Sequence, residues 1–592
     1  MIISKNFLII REKSLKVNIV HIIGEGTKMK RKKMKKLTAV VAPVLVMSMA
    51  LTACSGSGEK DKASTTPKSG EKEGGKLAAK QVLNLTESQE IPSMDSAKAT
   101  DQVSFLALNN VMEGLYRLDK DNKATPGVAE SYKKSDDGKK YTFTLNKNAK
   151  WSNGEPVTAK DFVFAWKRAV DKNTAAEYAY IMFDLKNAQA INEGKAELDT
   201  LGVKAVDDYT LEVELENPVP YFVELTSFGT FYPLNEKFVK EKGEKYGLES
   251  DTTLYNGPFT LTDWQHEEGW KLKKNAQYWD NKTVKLEEIN FNVVKDSGTR
   301  VNLYESGQID RSGLTSEFVD KYKSSPDFFT QKTPSTYFLR LNQKRGGQDT
   351  VLKSKDLRLA IAKAYDKKGL TNVILNDGST PADYLVPKEF AKSPDGKDFR
   401  KENGDILKTD VKKAKEHWEK AKKELGKDAI TVELLNYDGD GAKKVGEFLK
   451  GELEKNLPGL TVNLKNQPFK QKLKLESDLD YDLSYAGWGP DYLDPMTFID
   501  MFVTNGPHNQ TGYSNPKYDE IVQKGKGELL TKTKERWDSL LKAEKMLLED
   551  AAIAPLYQRG DAIVQRPKVK GIVHHPVGGD YSYKWAYITE DK

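Results

Sequence analysis

The residue types with the clearest chemistry lie together in one short stretch, YDLSYAGWGPDYLDP at 481–495. Trp488 offers a flat apolar wall, and Asp491, three positions later, offers a fixed negative charge. An indole beside exposed backbone, with a carboxylate close by, suits a small ligand that carries an ammonium group. The alternative is a capped strand end that contributes a tryptophan to the core.

The residues around this stretch predict how it is presented. Leu483 and Tyr485 alternate with polar neighbours, which indicates a strand. Two glycines and two prolines follow, beginning at Gly487, and these residues do not continue a regular ladder. We therefore expect the strand to end there and a loop to present Trp488 and Asp491.

Several motifs in one order resemble a known family. AGW at 486–488, followed by Asp491 and Pro495, resembles the ligand loop of bacterial oligopeptide-binding proteins, the solute receptors of peptide ABC importers. Other stretches that match the family are PGVAES at 126–131, WSNGEPVTAKDF at 151–162, NGPF at 256–259 and APLY at 554–557. The resemblance covers nearly all of the chain after residue 80.

The resemblance implies a two-lobed α/β fold of the periplasmic-binding-protein type (type II, cluster C), with strands that cross between the lobes. Carried over to this chain, lobe I takes 81–112, 235–333 and 561–592, and lobe II takes 334–560. An extra small domain, inserted in lobe I, takes 113–234.

Local periodicity independently predicts a mixture of strands and helices. Alternating apolar residues indicate half-buried strands at 141–145 and 211–215. Thr158, three residues before Asp161, predicts a capped amphipathic helix, and leucines at 540–548 mark a late helix.

The N-terminal residues predict a lipoprotein export signal. After Met29, a basic run at 30–36 precedes an uncharged apolar run at 37–50, which is shorter than a membrane span of about 20 residues. LTAC at 51–54 resembles the bacterial lipobox, in which the cysteine is diacylated and becomes the new N-terminus. We therefore expect a signal peptide at 29–53, a lipid anchor on Cys54 and a disordered tether at 54–80. The location would be the outer face of the cell membrane of a Gram-positive bacterium.

The export segment carries most of the positive charge. The whole chain has a net charge of +6 and residues 1–53 carry +9, so the remainder carries −3. The basic pI therefore gives no reason to expect a nucleic-acid partner. A ribosome-binding site is purine-rich, and if it were translated it would encode residues such as GEG at 24–26, just ahead of Met29. Our hypothesis is therefore that translation starts at Met29 and that residues 1–28 are an untranslated extension.

The sequence does not single out a catalytic or metal site. Cys54 is the only cysteine, so the mature body has no disulfide and no thiolate nucleophile. The histidines do not form a His-Glu-x-x-His motif, and the mature chain lacks a Gly-x-Ser-x-Gly elbow. We predict a protein that is not an enzyme and that needs no metal or cofactor.

The resemblance also implies the ligand site. An extended peptide between two lobes can hydrogen-bond through its main chain to strand edges on both sides. By resemblance, Asp491 pairs with the N-terminal ammonium of the peptide. The other implied ligand residues are Tyr485, Gly487, Trp488 and Gly489 on one side, Thr100 and Gln102 on the other, and Tyr178 and Phe469 as aromatic walls. For these two aromatic residues, ordinary core packing is an equal alternative.

The chain departs from well-known enteric relatives at the positions that hold the C-terminal carboxylate of the peptide. The matching residues here are Thr100, Tyr485 and Ala442, which are uncharged, and Arg559 replaces a tyrosine. Peptide length therefore stays open.

The function predicted from the sequence is a monomeric receptor that passes oligopeptides to the permease subunits of an ABC importer. The alternatives are a peptide-pheromone signalling receptor and a receptor for a nickel chelate, haem or a sugar. Asp491 favours an amine ligand over these non-peptide solutes.

Overall fold

The structure is a computed structural model that describes residues 75–590. The predicted upstream extension, the signal peptide, Cys54 and the tether up to residue 74 lie outside the described residues. The tether prediction is wrong at its C-terminal end, because Leu77 forms a β-bridge with Thr589 and the Ala78 N–H donates to Ile588 O at 2.9 Å. Within 75–590, no helix has the length and apolarity required to cross a membrane.

Three sheets of four or more strands organise the described residues. A four-stranded sheet contains Val82–Glu87, Glu288–Val293, Gly269–Lys274 and Phe259–Gln265, in that spatial order. A second contains Ala129–Lys134, Lys140–Leu145, Thr210–Glu214 and Val203–Asp207. The largest has the order Arg311–Leu314, Ile553–Gln565, Phe328–Leu341, Leu483–Trp488, Ile430–Tyr437 and Leu460–Gln467, with Thr380–Pro381 paired to its second strand.

Helices pack around these sheets, and those of nine or more residues in the described part are Gln102–Val111, Ala159–Val170, Ser297–Glu305, Lys355–Lys363, Val411–Leu425, Asp440–Asn456, Phe469–Ser477, Pro516–Lys526 and Thr533–Glu549. The capped helix predicted after Thr158 is confirmed. The Asp161 carboxylate accepts from the Thr158 backbone N–H at 2.7 Å, and Phe162 and Trp166 are fully buried. The late helix and both half-buried strands are also confirmed.

Two long strands, Phe328–Leu341 and Ile553–Gln565, pair antiparallel and run the length of the largest sheet. Their register shifts between Lys332, which pairs with Gly560, and Thr336, which pairs with Gln558. The predicted lobe boundary at 333/334 falls within this irregular segment, and the boundary at 560/561 lies at its edge. The division into lobes and an extra domain remains a prediction, and the irregularity is where a hinge between lobes would bend.

The strand predicted at Leu483 continues further than expected, through Gly487 to Trp488. We call Leu483–Trp488 the cleft strand. The expectation that Gly487 ends the strand is wrong, because this glycine meets a packing requirement within the ladder. A Cβ at Gly487 would lie 2.8 Å from the ring of Tyr337, its partner on the neighbouring strand.

Candidate functional site

The cleft strand has one open edge. On one side all six of its residues pair with Thr336–Leu341. On the other side only Leu483 and Ser484 pair, with Leu434 and Leu435. The edge of 485–488 therefore has no partner strand in the described part of the chain, and an extended ligand could pair with its main chain.

This open edge faces a cleft of about 450 Å³, a volume typical of ligand sites. Its lining comes from residues 87–315, which we call the first wall, from residues 335–510, the second wall, and from a few residues at 559–581. Eight of the nine residues predicted to bind ligand lie in this lining: Thr100, Gln102, Tyr178, Phe469, Tyr485, Gly487, Trp488 and Gly489. The ninth, Asp491, does not.

Gly489 lies at one of the places where the two walls come close together. A Cβ there would stand 3.0 Å from the amide nitrogen of Gln102 and 3.0 Å from the hydroxyl of Ser335. A larger residue would therefore push Gln102, at the start of its helix, away from the cleft strand. This close approach gives a physical reason for glycine at this position.

Aromatic rings from both walls meet at Trp488. The ring of Tyr178 stacks on the indole with centroids 6.3 Å apart and planes 7° from parallel. The imidazole of His508 contacts both rings edge-on, at 4.7 Å from Tyr178 and 5.1 Å from Trp488. These rings form an apolar wall at one end of the cleft, and Trp488 contributes to the cleft rather than only to the core.

His508 is a site residue that the sequence did not reveal. Burial lowers the pKa of its imidazole to about 3, so the ring is neutral at physiological pH. Its Nε2 atom has no hydrogen-bond partner among the described residues, and the same holds for Trp488 Nε1 and Gln102 Oε1. Three buried polar atoms without partners in one cleft are suited to hydrogen-bond a ligand with polar groups.

Asp491 lies behind the aromatic wall instead of at the cleft surface. Its carboxylate accepts hydrogen bonds from the hydroxyls of Tyr178 at 3.2 Å and Tyr180 at 3.3 Å, and its side chain borders a second cavity of about 330 Å³. The expected exposed loop residue is therefore buried, with 6% of its surface accessible. An ammonium group would reach this carboxylate by replacing the tyrosine hydroxyls, and its charge makes it the stronger donor.

The environment of Asp491 favours its neutral form in the absence of a cation. Burial raises the pKa of the carboxyl well above its usual range, and the nearby Asp500 raises it further. The hydroxyls of Tyr178 and Tyr180 and the side chain of Thr497 act in the opposite direction but do not outweigh burial. An arriving ammonium would ionise Asp491 and release a proton.

This coupling predicts a pH dependence of peptide affinity. Affinity should rise as the pH increases through the raised pKa of Asp491, because less work is then needed to ionise the carboxyl. It should fall again above about pH 8, where the N-terminal ammonium of the peptide loses its proton. Titration calorimetry from about pH 4.5 to 9 measures both limbs.

The variant Asp491→Asn is the control for this profile, because it removes only this titration. Glu87, whose pKa burial raises to about 7, lines the cleft in both proteins. If the affinity of the variant depends less on pH at acidic pH than that of the unmodified protein, the assignment to Asp491 is supported. An unchanged pH dependence at acidic pH would show that another group is responsible for it.

Several charged residues that line the cleft form ion pairs. Arg340 contacts Glu476 at 2.9 Å, and Lys472 contacts the same carboxylate at 2.7 Å. Arg559, one of the residues that depart from the family pattern, pairs with Asp561 at 2.9 Å. Each of these cations therefore already has a carboxylate partner within the protein, and Arg340 and Lys472 share theirs.

Comparisons with known proteins give one consistent set of relatives. Residues 123–510 match the model of the bacterial extracellular solute-binding proteins, family 5 Middle. The dipeptide-binding protein DppE of Bacillus subtilis (strain 168) is 35% identical over 94% of this chain and 99% of its own length.

Two solved structures are also similar. The substrate-binding domain of an oligopeptide ABC transporter from Bacillus anthracis str. Ames is 65% identical, with a TM-score of 0.86 over 87% of this chain and 100% of the other. Listeria monocytogenes OppA bound to peptide is 49% identical, with a TM-score of 0.84 and the same coverage. The predicted two-lobed α/β fold class is thereby confirmed.

Proposed function

The chain belongs to the bacterial extracellular solute-binding proteins of family 5, and from this membership we propose that it captures oligopeptides in its cleft and delivers them to a membrane-embedded ABC importer. Its relatives in this family are binding proteins. The B. subtilis relative is named for dipeptides, and the L. monocytogenes relative is described with a bound peptide. Both names agree with a peptide ligand for this chain.

The open edge of the cleft strand is the observation that carries the proposal. Main-chain donors and acceptors along 485–488 face the cleft without a partner strand in the described part of the protein. Thr100 and Gln102 lie in the opposite wall. A peptide bound between them gains affinity from its backbone, which every sequence shares, so one receptor can accept many peptides.

The proposal also covers the chemical fate of the ligand and the cellular location of the protein. The ligand leaves the cleft chemically unchanged, and Asp491 pairs with its N-terminal ammonium. The protein is a monomer held by lipid on Cys54 at the outer face of the membrane, and the lobe division predicted from the sequence describes its moving parts. The binding residues are the nine predicted from the sequence, with His508 added.

Closure of the cleft around peptide is the test of this proposal. In the structure the walls are joined by Ser477, which donates to Glu177 at 2.8 Å, and by Lys295, which contacts Asp438 at 2.8 Å. A peptide can hydrogen-bond to both walls at once only when the walls are close together. It therefore binds the closed form more tightly and should shift the population toward that form. Small-angle scattering should show a smaller radius of gyration at saturating peptide than without peptide.

The emission of Trp488 provides a matched readout. Peptide that excludes water from the indole should change its fluorescence, and Trp488→Phe should abolish this change while leaving some compaction. Identical scattering profiles with and without saturating peptide would contradict closure.

A further inference from the structure

Four basic residues line the cleft, and one of them differs from the rest. Three have a carboxylate partner: Lys295 with Asp438 at 2.8 Å, Arg340 with Glu476 at 2.9 Å, and Arg559 with Asp561 at 2.9 Å. Arg300 forms no ion pair with any residue in the described part of the chain. Among these four lining residues of the described chain, its side chain is therefore the one without a carboxylate within ion-pair distance.

Within residues 75–590, the hydrogen bonds of the Arg300 side chain go to backbone carbonyls. It lies on the helix Ser297–Glu305, is half-buried, and donates through Nη1 to the carbonyl oxygens of Val294 at 2.7 Å and Lys295 at 3.4 Å. Both bonds come from the single nitrogen Nη1, which leaves Nε and Nη2 as the second pair of donors. The remaining donors keep the planar fork that suits a carboxylate.

The electrostatics agree with this geometry. Burial lowers the pKa of Arg300 despite the attraction of more distant carboxylates, of which Asp440 has the largest effect and Glu87 the next. Desolvation of this guanidinium therefore outweighs the attraction of the surrounding carboxylates, which include Asp296. An anion brought to this place would gain more than one brought to Arg340 or Arg559, where a carboxylate is already bound.

The position of Arg300 matches the far end of an extended ligand. A peptide whose ammonium lies at Asp491 runs back along the cleft strand toward Tyr485, whose ring lies 5.8 Å from that of Tyr437. The residues that follow Tyr437 contact the segment just before Arg300, since Asp438 pairs with Lys295 and Asp440 accepts from Ser297 at 2.5 Å. The second end of the peptide therefore points toward Arg300.

We propose that Arg300 binds a carboxylate of the peptide and so determines which peptides the cleft prefers. This inference rests on the proposed function. The carboxylate has two possible sources, the C-terminus of a peptide of matching length and the side chain of an aspartate or glutamate in a longer one. Both present the same planar group to the guanidinium fork.

The experiment measures dissociation constants by calorimetry for alanine peptides of about three to six residues, each as the free acid and as the C-terminal amide. A second series carries either glutamate or glutamine near the C-terminus of an amidated peptide. In the unmodified protein, one length or one glutamate position should bind at least about tenfold more tightly than its neutral counterpart, as expected for a charged hydrogen bond. The series in which this occurs identifies the source of the carboxylate.

Three variants assign the preference to Arg300. Arg300→Gln should remove it, and Arg300→Lys should keep part of it because the charge stays and the fork is lost. Lys285→Gln is the matched control: Lys285 is an exposed residue whose ammonium donates to the Lys282 carbonyl at 3.0 Å. It removes one positive charge outside the cleft lining and should leave the preference intact.

The outcomes separate this inference from the proposed function. Tight binding of every peptide with no preference for acid over amide or for glutamate over glutamine would overturn the role of Arg300 alone. Persistence of the preference in Arg300→Gln would do the same. Failure of the unmodified protein to bind any peptide would overturn the proposed function itself.

Discussion

Peptides with a free amino terminus should bind about 3–5 kcal/mol more weakly to Asp491→Asn than to the unmodified protein, as when one partner of a buried charge pair is removed. Asparagine keeps the size of the side chain and can still accept from Tyr178 and Tyr180. The main change is therefore the loss of the negative charge that would meet the peptide ammonium. Titration calorimetry measures the loss directly.

Acetylation of the peptide N-terminus removes the other partner of the same interaction. Free and acetylated peptides on both proteins form a double-mutant cycle, and the two losses should not add if Asp491 contacts the ammonium. The structure offers a specific alternative, because the hydroxyls of Tyr178 and Tyr180 join Asp491 to the other wall. If Asp491 only holds the walls together, Asp491→Asn should weaken both peptides equally, and the coupling energy will be near zero.

Replacing Cys54 by serine should release the protein from the membrane almost completely. Each buried methylene of an acyl chain contributes about 0.8 kcal/mol, one chain holds a protein only marginally, and two hold it stably. A serine cannot form the thioether that carries the lipid, so the variant should lose the whole anchor. Metabolic labelling with palmitate and fractionation of cells from medium measure the two consequences.

The control for this prediction is Ser57→Ala, which changes a residue of the predicted tether, outside the LTAC motif at 51–54. It should retain both label and membrane location. Palmitate label that persists in Cys54→Ser would show that the lipid is attached elsewhere or that the protein is anchored by another means.

The sequence predicted those features whose determinants are local. Thr158 and Asp161 are three residues apart and form the capping interaction that starts their helix. The alternation around Phe143 reports one buried face of a sheet, and the structure has the strand there. The family resemblance predicted nine ligand residues, of which eight lie in the cleft lining, because it carries information about residues that are distant in the chain.

The features that were missed depend on contacts between distant residues. Gly487 stays in the strand because Tyr337 packs against it, and Asp491 is covered because Tyr178, 313 positions away, folds over it. His508 has no local motif that distinguishes it from a packed histidine. That Arg300 has no carboxylate partner in the described part of the chain can be recognised only from the three-dimensional positions of the surrounding carboxylates.

The measurement that tests the central claim most directly is mass spectrometry of the ligand that the protein retains. The purified protein would be incubated with a mixture of free oligopeptides, their N-acetylated forms, a nickel chelate, haem and an oligosaccharide, then washed and denatured. We predict the release of intact oligopeptides with free amino termini, at about one per protein chain. Retention of a non-peptide solute in their place, or recovery of cleaved peptides, would contradict the assignment of this protein as a peptide receptor.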